Sequence, residues 1–225
     1  ARHRRRFLRQ WVVMAVRYSK HHGLGNDFLV TLTDRLPLDA GERAIALCDR
    51  YTGLGADGLI FGLQRPDGSV AMRLLNSDGS PAEISGNGLR CFAQAIALDR
   101  GVPHLEVDVD TPAGTRHCIV HATAERNTVV ATVDMGVVCP GPDPDVEDLI
   151  GAVGDAVRMV KRWETGDIGN PHVVCEVDDP AAVDLAVAGP AVEAHFEEGA
   201  NVHFVAVSGL NELTVRVWER GAGIT

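Results

Sequence analysis

Short apolar segments alternate with polar turns along most of the chain, and this pattern predicts β-strands. GLIFGL and VAMRLLN read as two strands joined by a turn at 66–68. LEVDVDTPAG, RHCIVHATAE and NTVVATVDMG then predict three further strands, and DIGNPHVVCEV, ANVHFVAVSG and ELTVRVWERGAG three more. An apolar strand also follows the glycine-rich turn in HHGLGNDFLV.

Three segments have helical periodicity instead. In AGERAIALCDR, the residues Ala44, Ile45, Leu47 and Cys48 cluster on one face. In GNGLRCFAQAIALDRG, an apolar stripe runs through Leu89, Phe92, Ala93, Ile96 and Ala97, and Gly101 ends the helix. The third predicted helix is VEDLIGAVGDAV, residues 146–157. The fold class is therefore mixed α/β (α+β).

The segment CPGPDPD interrupts this pattern and indicates a domain boundary near Gly136. We assign one half-domain to residues 14–136 and a second to 137–225. GNDFLV and GNPHVV each start a strand after Gly-Asn, which favours two similar halves that face each other. The arginine-rich residues 1–13 are interpreted as a disordered tail or upstream translated sequence, with Met14 as the natural start.

Composition and charge narrow the function classes. The chain has 225 residues, 45% of them hydrophobic, and a net charge of −10, which disfavours nucleic acid and anionic membranes as partners. No apolar run approaches the roughly 18 residues that span a bilayer. The five cysteines are widely spaced without a CxxC pair, so we expect a reducing cytoplasm and no disulfide framework.

Several cofactor interpretations fail on context. GLGADG fits G-x-G-x-x-G, but a predicted helix precedes it and a strand follows, the reverse of a dinucleotide site. Only Lys20 and Lys161 could form a Schiff base with pyridoxal phosphate, and neither lies in a phosphate cradle. The histidines lack carboxylates at metal-ligand spacing. We therefore predict neither a cofactor nor a metal.

The richest polar cluster is RLLNSDGSPAEISGNGLRC. The start of its helix offers free backbone amides and a positive dipole end, which suits a carboxylate. The alternative for Ser85 or Asn87 is a simple helix N-cap. Near the end of the sequence, Glu219 and Arg220 precede a glycine turn, where they form either a surface ion pair or a clamp for a substrate carboxylate.

In this order, the motifs HGLGNDF, GLGADG, NSDGSPAE-SGNG-RC, TPAG, VDMG, GNPHVV, NVHFV and WERGAG resemble the diaminopimelate epimerase family from Tyr18 onward. The resemblance implies two pseudo-symmetric domains, each a mixed sheet wrapped around a central helix, with the active site between them. It also implies a cytoplasmic homodimer that converts LL-diaminopimelate to meso-diaminopimelate without a cofactor, in lysine and peptidoglycan precursor synthesis.

The resemblance also implies roles for particular residues. Ser85 occupies the position of the first catalytic cysteine, and His172 and Glu219 tune the acid–base groups. The substrate-binding positions are Asn26, Gly58, Asn76, Gly86, Asn87, Asn170, Asn201, Glu219 and Arg220.

The sequence departs from the family at three places. A serine hydroxyl at position 85 is a far weaker acid than the expected thiol. The family continues past ERGAG with a second cysteine and helix, so a chain ending at Thr225 is expected to be a fragment. Gly58 stands where some relatives have a longer polar residue. Cys91 lies nearly two turns into the helix and is expected to be a core thiol rather than a substitute base.

These departures keep two further hypotheses open. A site with one thiol and one hydroxyl could remove a proton without two-base inversion, as in an elimination reaction. A chain that keeps only the asparagines and the arginine could bind an amino acid without catalysis.

Overall fold

The computed structural model describes residues 16–143, 149, 158–221 and 223–224. The predicted tail 1–13, Met14 and, apart from Leu149, the predicted helix at 146–157 lie outside the described residues. Two β-sheets and three α-helices make up the described fold, as the sequence predicts for a mixed α/β chain.

The first sheet contains eight strands and spans the chain up to Val133. They are β1 (Ser19–Gly23), β2 (Asn26–Thr33), β3 (Gly58–Gln64), β4 (Val70–Asn76), β5 (Pro81–Ala82), β6 (His104–Thr111), β7 (Gly114–Ala122) and β8 (Val129–Val133). Their order is β1-β2-β3-β4-β6-β7-β8, with β5 paired to β4. The β2–β3 and β4–β6 pairs are parallel and the others antiparallel. Strand β1, a hairpin partner of β2, was not predicted.

Two helices cover the two faces of this sheet. Helix α1 (Ala40–Cys48) packs Ala44 and Cys48 on one face, and helix α2 (Gly86–Arg100) packs its apolar stripe on the other. Successive side chains of a strand point to opposite faces. In β2, Phe28 and Val30 therefore join the core around α2, whereas Leu29 joins the core around α1.

Helix α2 begins and ends where its sequence predicts. Ser85 is the N-cap, with an extended backbone, and its Oγ accepts a hydrogen bond from the Gly88 amide at 3.0 Å. Gly101 ends the helix at φ 66°, in the left-handed region that glycine adopts without a Cβ clash. The predicted apolar stripe is fully buried. Local capping and tertiary packing therefore specify the same boundaries.

The second sheet contains six strands from Cys139 onward. They are β9 (Cys139–Pro140), β10 (Arg162–Asp167), β11 (Pro171–Glu176), β12 (Asn201–Gly209), β13 (Glu212–Glu219) and β14 (Gly223–Ile224). The sheet order is β14-β13-β12-β11-β10-β9, and only β11–β12 is parallel. A 3-10 helix (Pro180–Ala182) and helix α3 (Leu185–Glu193) pack on one face.

Helix α3 and strand β10 were not predicted. Gly189 and Pro190 lie inside α3, and both residues disfavour helices. The fold compensates because Ala188 and Val192 are fully buried in the second core. Position 189 requires glycine because a Cβ there would lie 2.5 Å from Cγ of Trp218. Tertiary packing therefore overrides local propensity in this segment.

The similar segments GNDFLV and GNPHVV have equivalent backbone features. Gly25 and Gly169 have φ values of 98° and 109°, and each precedes the asparagine at a strand start. The strands that follow, β2 and β11, each pair in parallel with a later strand of their own sheet. Each described helix is too short or too polar to cross a lipid bilayer.

Candidate active site

A cavity of about 380 Å³ lies between the two sheets and is lined by residues from both. It brings together all but one of the residues named for the site from the sequence: Asn26, Asn76, Ser85, Gly86, Asn87, Asn170, His172, Asn201, Glu219 and Arg220. The exception, Gly58, is not among the lining residues. It is buried at the start of β3, where a Cβ would lie 2.8 Å from the Leu75 carbonyl oxygen, and its neighbour Asp57 lines the cavity instead.

The start of α2 forms one wall of the cavity. The first amides of a helix have no intrahelical partner, and Ser85 satisfies only that of Gly88. The amides of Gly86 and Asn87 lie at the positive end of the helix dipole beside the cavity. This wall can hold a carboxylate and stabilise negative charge that develops on it.

None of the five cysteines lines the cavity. Cys91 is buried in the core around α2, and burial raises the pKa of its thiol to about 11. The prediction of a core thiol is therefore confirmed. Burial likewise raises the pKa of Cys48 and of Cys118 to about 11 and raises that of Cys175, whereas Cys139 is exposed on β9. Within the described residues, the cavity has a hydroxyl at position 85 and no thiol.

Asn26 supplies a buried acceptor that has no partner. The residue is 7% exposed, and Nδ2 donates to Glu219 Oε2 at 3.2 Å across the cleft. Its Oδ1 is buried and makes no hydrogen bond within the part of the chain that the structure describes. An unsatisfied buried oxygen costs free energy, so this position calls for a donor from a ligand. An ammonium is one donor of this kind.

Charged side chains connect Asp27, which follows Asn26, to Asp57 in the GLGADG motif. The Asp27 amide donates to Asp57 Oδ2 at 2.9 Å, and the Asp57 amide donates to Asp27 Oδ1 at 3.1 Å. Arg50 bridges both carboxylates at 2.8 and 2.6 Å. Burial raises the pKa of Asp27, but hydrogen bonds from Arg50 and Lys20 outweigh it and keep the pKa well below its usual range. Helix α1 precedes the motif and β3 follows it, which confirms the order of elements predicted around it.

Two stacked histidines stand on the opposite wall. His172 Nδ1 lies 2.8 Å from His203 Nε2, and His172 Nε2 lies 2.8 Å from Asn170 Oδ1. With Oδ1 as acceptor, His172 carries its proton on Nε2, and His203 donates to Nδ1. Burial lowers the pKa of His172 and lowers that of His203 to about 4, so both rings are neutral at pH 7.

His203 was not named for the site from the sequence, although a signal was present. NPH and NVH each place a histidine two residues after an asparagine at the start of parallel strands. Asp57, Glu193, Glu198, Met135 and Ile168 also line the cavity without having been named. They come from separate elements, and no local pattern groups them.

Among the described residues that line the cavity, Arg220 is the only cation, and it is held by several contacts. Its main-chain amide donates to Asn201 Oδ1 at 3.1 Å, and Nη1 donates to the Glu198 carbonyl oxygen at 2.6 Å. Nη2 forms an ion pair with Glu83 from the first sheet. Five carboxylates line the cavity beside it, those of Asp57, Glu83, Glu193, Glu198 and Glu219. This charge balance suits a ligand that carries ammonium groups as well as carboxylates.

No three His, Cys, Asp or Glu side chains in the described ranges are arranged to hold a metal ion. The groups present can bind an amino-acid zwitterion. Free amides at the helix start and the Arg220 guanidinium are groups that bind carboxylates, and the oxygens of Asn26 and Glu219 are groups that bind an ammonium.

The fold resembles that of several solved structures. A hydroxyproline epimerase from Agrobacterium vitis, solved with bound trans-4-hydroxy-L-proline, superposes with a TM-score of 0.64 at 14% identity, over 93% of this chain and 71% of that one. A phenazine biosynthesis protein of the PhzF family from Bacillus anthracis gives 0.61 at 16% identity, over 92% and 73%. These likenesses show that the chain shares its fold with both proteins.

Sequence comparison narrows the class to one family. The family model described as diaminopimelate epimerase matches residues 18–139. The diaminopimelate epimerase of Nostoc punctiforme is 39% identical over 227 residues, which cover 94% of this chain and 79% of that protein. That of Heliobacterium modesticaldum is 38% identical over 92% of this chain and 78% of that protein. The chain belongs to the diaminopimelate epimerase family, which confirms the resemblance seen in its motifs.

Proposed function

We propose that this protein epimerises LL-diaminopimelate to meso-diaminopimelate without a cofactor, in the synthesis of lysine and peptidoglycan precursors. The observation that carries the proposal is the buried, unpartnered Oδ1 of Asn26 beside Glu219 in a cleft with two carboxylate-binding groups. A ligand with two carboxylates and two ammoniums matches these groups. The proposal includes a cytoplasmic homodimer built from half-domains 14–136 and 137–225.

In this proposal, the α-carboxylate binds at the Gly86 and Asn87 amides, and its ammonium binds Asn26 and Glu219. Gly58 contributes by allowing close packing of the backbone behind the cavity wall. The far carboxylate binds Arg220, with Asn76, Asn170 and Asn201 around it. The fixed helix-start amides stabilise the charge that spreads onto the α-carboxylate when the α-proton leaves. His172 is held neutral by burial, so it tunes the acid–base groups beside it without placing a charge in the resting cleft.

The Ser85 hydroxyl supports a second candidate function. Its oxygen caps α2, and within the described residues no base lies within hydrogen-bonding distance of it. Without a partner base, a hydroxyl does not replace a thiolate as a proton acceptor. The second candidate is a relative that binds the diamino acid and performs one-base chemistry, such as elimination, or no chemistry.

The decisive experiment measures α-proton exchange and stereoinversion of diaminopimelate in deuterated water by NMR. It compares the full-length protein with its Ser85→Cys and Ser85→Ala variants, and calorimetry measures binding by each. Exchange with inversion by the unsubstituted protein supports epimerisation, and we expect Ser85→Cys to be faster and Ser85→Ala slower.

The other outcomes separate the candidates. Binding without exchange, with inversion gained by Ser85→Cys, would favour a binding relative that lost its thiol base. Loss of an eliminase activity in Ser85→Cys, with inversion gained, would favour one-base chemistry. Absence of both binding and exchange in all three proteins would overturn the proposal.

A further inference from the structure

Arg50 lies between the end of α1 and the motif GLGADG, and it is not one of the residues that line the cavity. The end of the helix fixes the backbone around it, since the amides of Leu54 and Gly55 donate to the Leu47 carbonyl oxygen at 2.9 and 3.0 Å. Gly55 has a φ of 73°, and a Cβ there would lie 3.1 Å from the Arg50 Cα. The glycine therefore lets the motif fold closely against Arg50.

The Arg50 guanidinium joins two carboxylates that lie at the starts of neighbouring strands. Nη1 and Nη2 donate to the two carboxylate oxygens of Asp27 at 3.2 and 2.8 Å, and Nη2 also donates to Asp57 Oδ1 at 2.6 Å. Asp27 is the second residue of β2, and Asp57 directly precedes β3. These strands pair in parallel from Phe28 and Gly58 onward. Arg50 therefore holds the two strand starts side by side.

Asp27 and Asp57 also contact each other, because the amide of each donates to the carboxylate of the other at 2.9 and 3.1 Å. Two carboxylates this close repel each other unless a cation lies between them. Lys20 pairs with Asp27 at 2.9 Å and donates to the Gly55 carbonyl oxygen at 2.6 Å. Among the ion pairs of the described residues, only those of Arg50 reach both carboxylates. Loss of the guanidinium therefore leaves the repulsion to separate the two strand starts.

Asn26 is the cavity residue that depends most directly on this bridge. It precedes Asp27 at the first position of β2 and follows Gly25, which has a φ of 98°. Its Nδ2 donates to Glu219, but its buried Oδ1 has no partner in the part of the chain that the structure describes. Apart from that one bond, the backbone sets the direction of the side chain. A shift of Asp27 therefore moves the amide of Asn26.

We propose that Arg50 is a positioning residue that sets the orientation of the Asn26 amide through the bridge between Asp27 and Asp57. The proposal rests on the proposed function, in which Asn26 binds the ammonium of the substrate. Arg50 acts on the ligand only through this connection. An exposed ion pair without such a connection contributes little to stability and nothing to ligand affinity.

Arg43 offers a matched control on the same helix. Its Nε pairs with Asp39 at 2.9 Å, and both side chains are exposed. Neither residue lines the cavity. Arg43→Gln therefore removes the same charge and an exposed ion pair from the same region, and it leaves the bridge between Asp27 and Asp57 intact.

The first measurement is made without a ligand. Proton–nitrogen correlation NMR follows the Asn26 side-chain amide in the unsubstituted protein, Arg50→Gln, Arg50→Lys and Arg43→Gln, and Asn26→Ala assigns the signal by its loss. Thermal melting midpoints check that each variant is folded. We expect the signal to shift in Arg50→Gln, to shift less in Arg50→Lys and to stay in place in Arg43→Gln. Lysine keeps the charge but lacks the planar fork that reaches both carboxylates. A signal that stays in place in Arg50→Gln overturns the proposal.

The second measurement is a double-mutant cycle on the affinity for diaminopimelate by calorimetry. Arg50→Gln should weaken binding by about tenfold, as a misplaced acceptor loses its hydrogen bond to a charged group, and Arg43→Gln should leave it unchanged. Because both act through one amide, Arg50→Gln combined with Asn26→Ala should bind little more weakly than Asn26→Ala alone. Additive losses, or an unchanged affinity in Arg50→Gln, overturn the role of Arg50 and leave the proposed function intact. If the unsubstituted protein fails to bind diaminopimelate, the proposed function is overturned, and the NMR signal of Asn26 still decides whether Arg50 positions that amide.

Discussion

The two sheets repeat one backbone plan and equip it with different side chains. In each, a glycine with positive φ precedes an asparagine and a strand that pairs in parallel with a later one. The register joins Phe28 to Gly58 in the first sheet and His172 to Asn201 in the second. The first sheet thus offers an apolar floor and a helix start, whereas the second offers imidazoles and an amide. The repeated backbone forms two facing walls of the cleft, and their different side chains give each wall a different chemistry.

The sheets also differ in how their faces are covered. Helices pack on both faces of the first sheet, so that consecutive residues such as Phe28, Leu29 and Val30 are all buried. Within the described residues, α3 packs on one face of the second sheet, and the opposite face leaves Val207 68% and Leu213 64% exposed. The same strand pattern therefore contributes less burial in the second half.

The largest expected effect tests this difference in burial. Phe92→Ala, in the core around α2, should lower the free energy of unfolding by about 3–5 kcal/mol. Leu213→Ala, on the exposed face of the second sheet, should change it by less than about 0.5 kcal/mol. Urea denaturation gives both values. A cost for Leu213→Ala close to that of Phe92→Ala would mean that this face is covered in solution.

The next prediction compares Asn26 and Asn170, the asparagines of the two Gly-Asn turns. Asn26→Ala removes the unpartnered acceptor and should weaken binding of diaminopimelate by about tenfold or more. Asn170→Ala should weaken it less, because Asn170 Oδ1 already has His172 as a partner before the ligand arrives. Calorimetry measures both affinities. Equal losses would show that the two amides act alike despite their different partners.

A third comparison concerns how the buried pair His172 and His203 affects the stability of the protein at acid pH. Burial holds the pKa of His203 at about 4, below the unfolded value of 6.5, and lowers that of His172. The unfolded chain therefore binds more protons in this range, and stability is lost as pH falls from about 6.5 toward about 4. Denaturation midpoints measured across this range should fall less steeply in His203→Phe. The exposed control His22→Gln should keep the original slope, and an unchanged slope in His203→Phe would refute this account.

The smallest effect compares the helix starts of the two halves. Ser85→Ala removes the hydroxyl that caps α2 and should cost about 1 kcal/mol of stability. Asp184 precedes α3 without a capping side-chain hydrogen bond, so Asp184→Ala should change stability by less than about 0.5 kcal/mol. Thermal melts distinguish the two. A similar loss of stability at both positions would show that the Ser85 cap contributes no more than the uncapped Asp184.

Much of the fold was predictable because its signals are local. Helix α2 was recognised with its stripe and its glycine end, and the strands β3, β4 and β6–β8 were recognised from alternation. Helix α3 was missed because Gly189 and Pro190 argue against a helix, and only contact with Trp218 and the second core stabilises it. Strand β10 was missed for the same kind of reason. Its half-buried sequence RWETGD becomes a strand by pairing with β11.

The sequence by itself determined the helices with clear caps, the repeated Gly-Asn turns, and the ordered motifs that identify the family. Only the tertiary structure decided that His172 pairs with His203, that Arg220 reaches Glu83, and that Gly58 stands behind the cavity wall. The physical reason is the distance along the sequence over which each kind of interaction acts. Periodicity and capping act between residues a few positions apart, whereas Asn26 and Glu219 meet across 193 positions. Such contacts depend on how both sheets curve and close on one cleft.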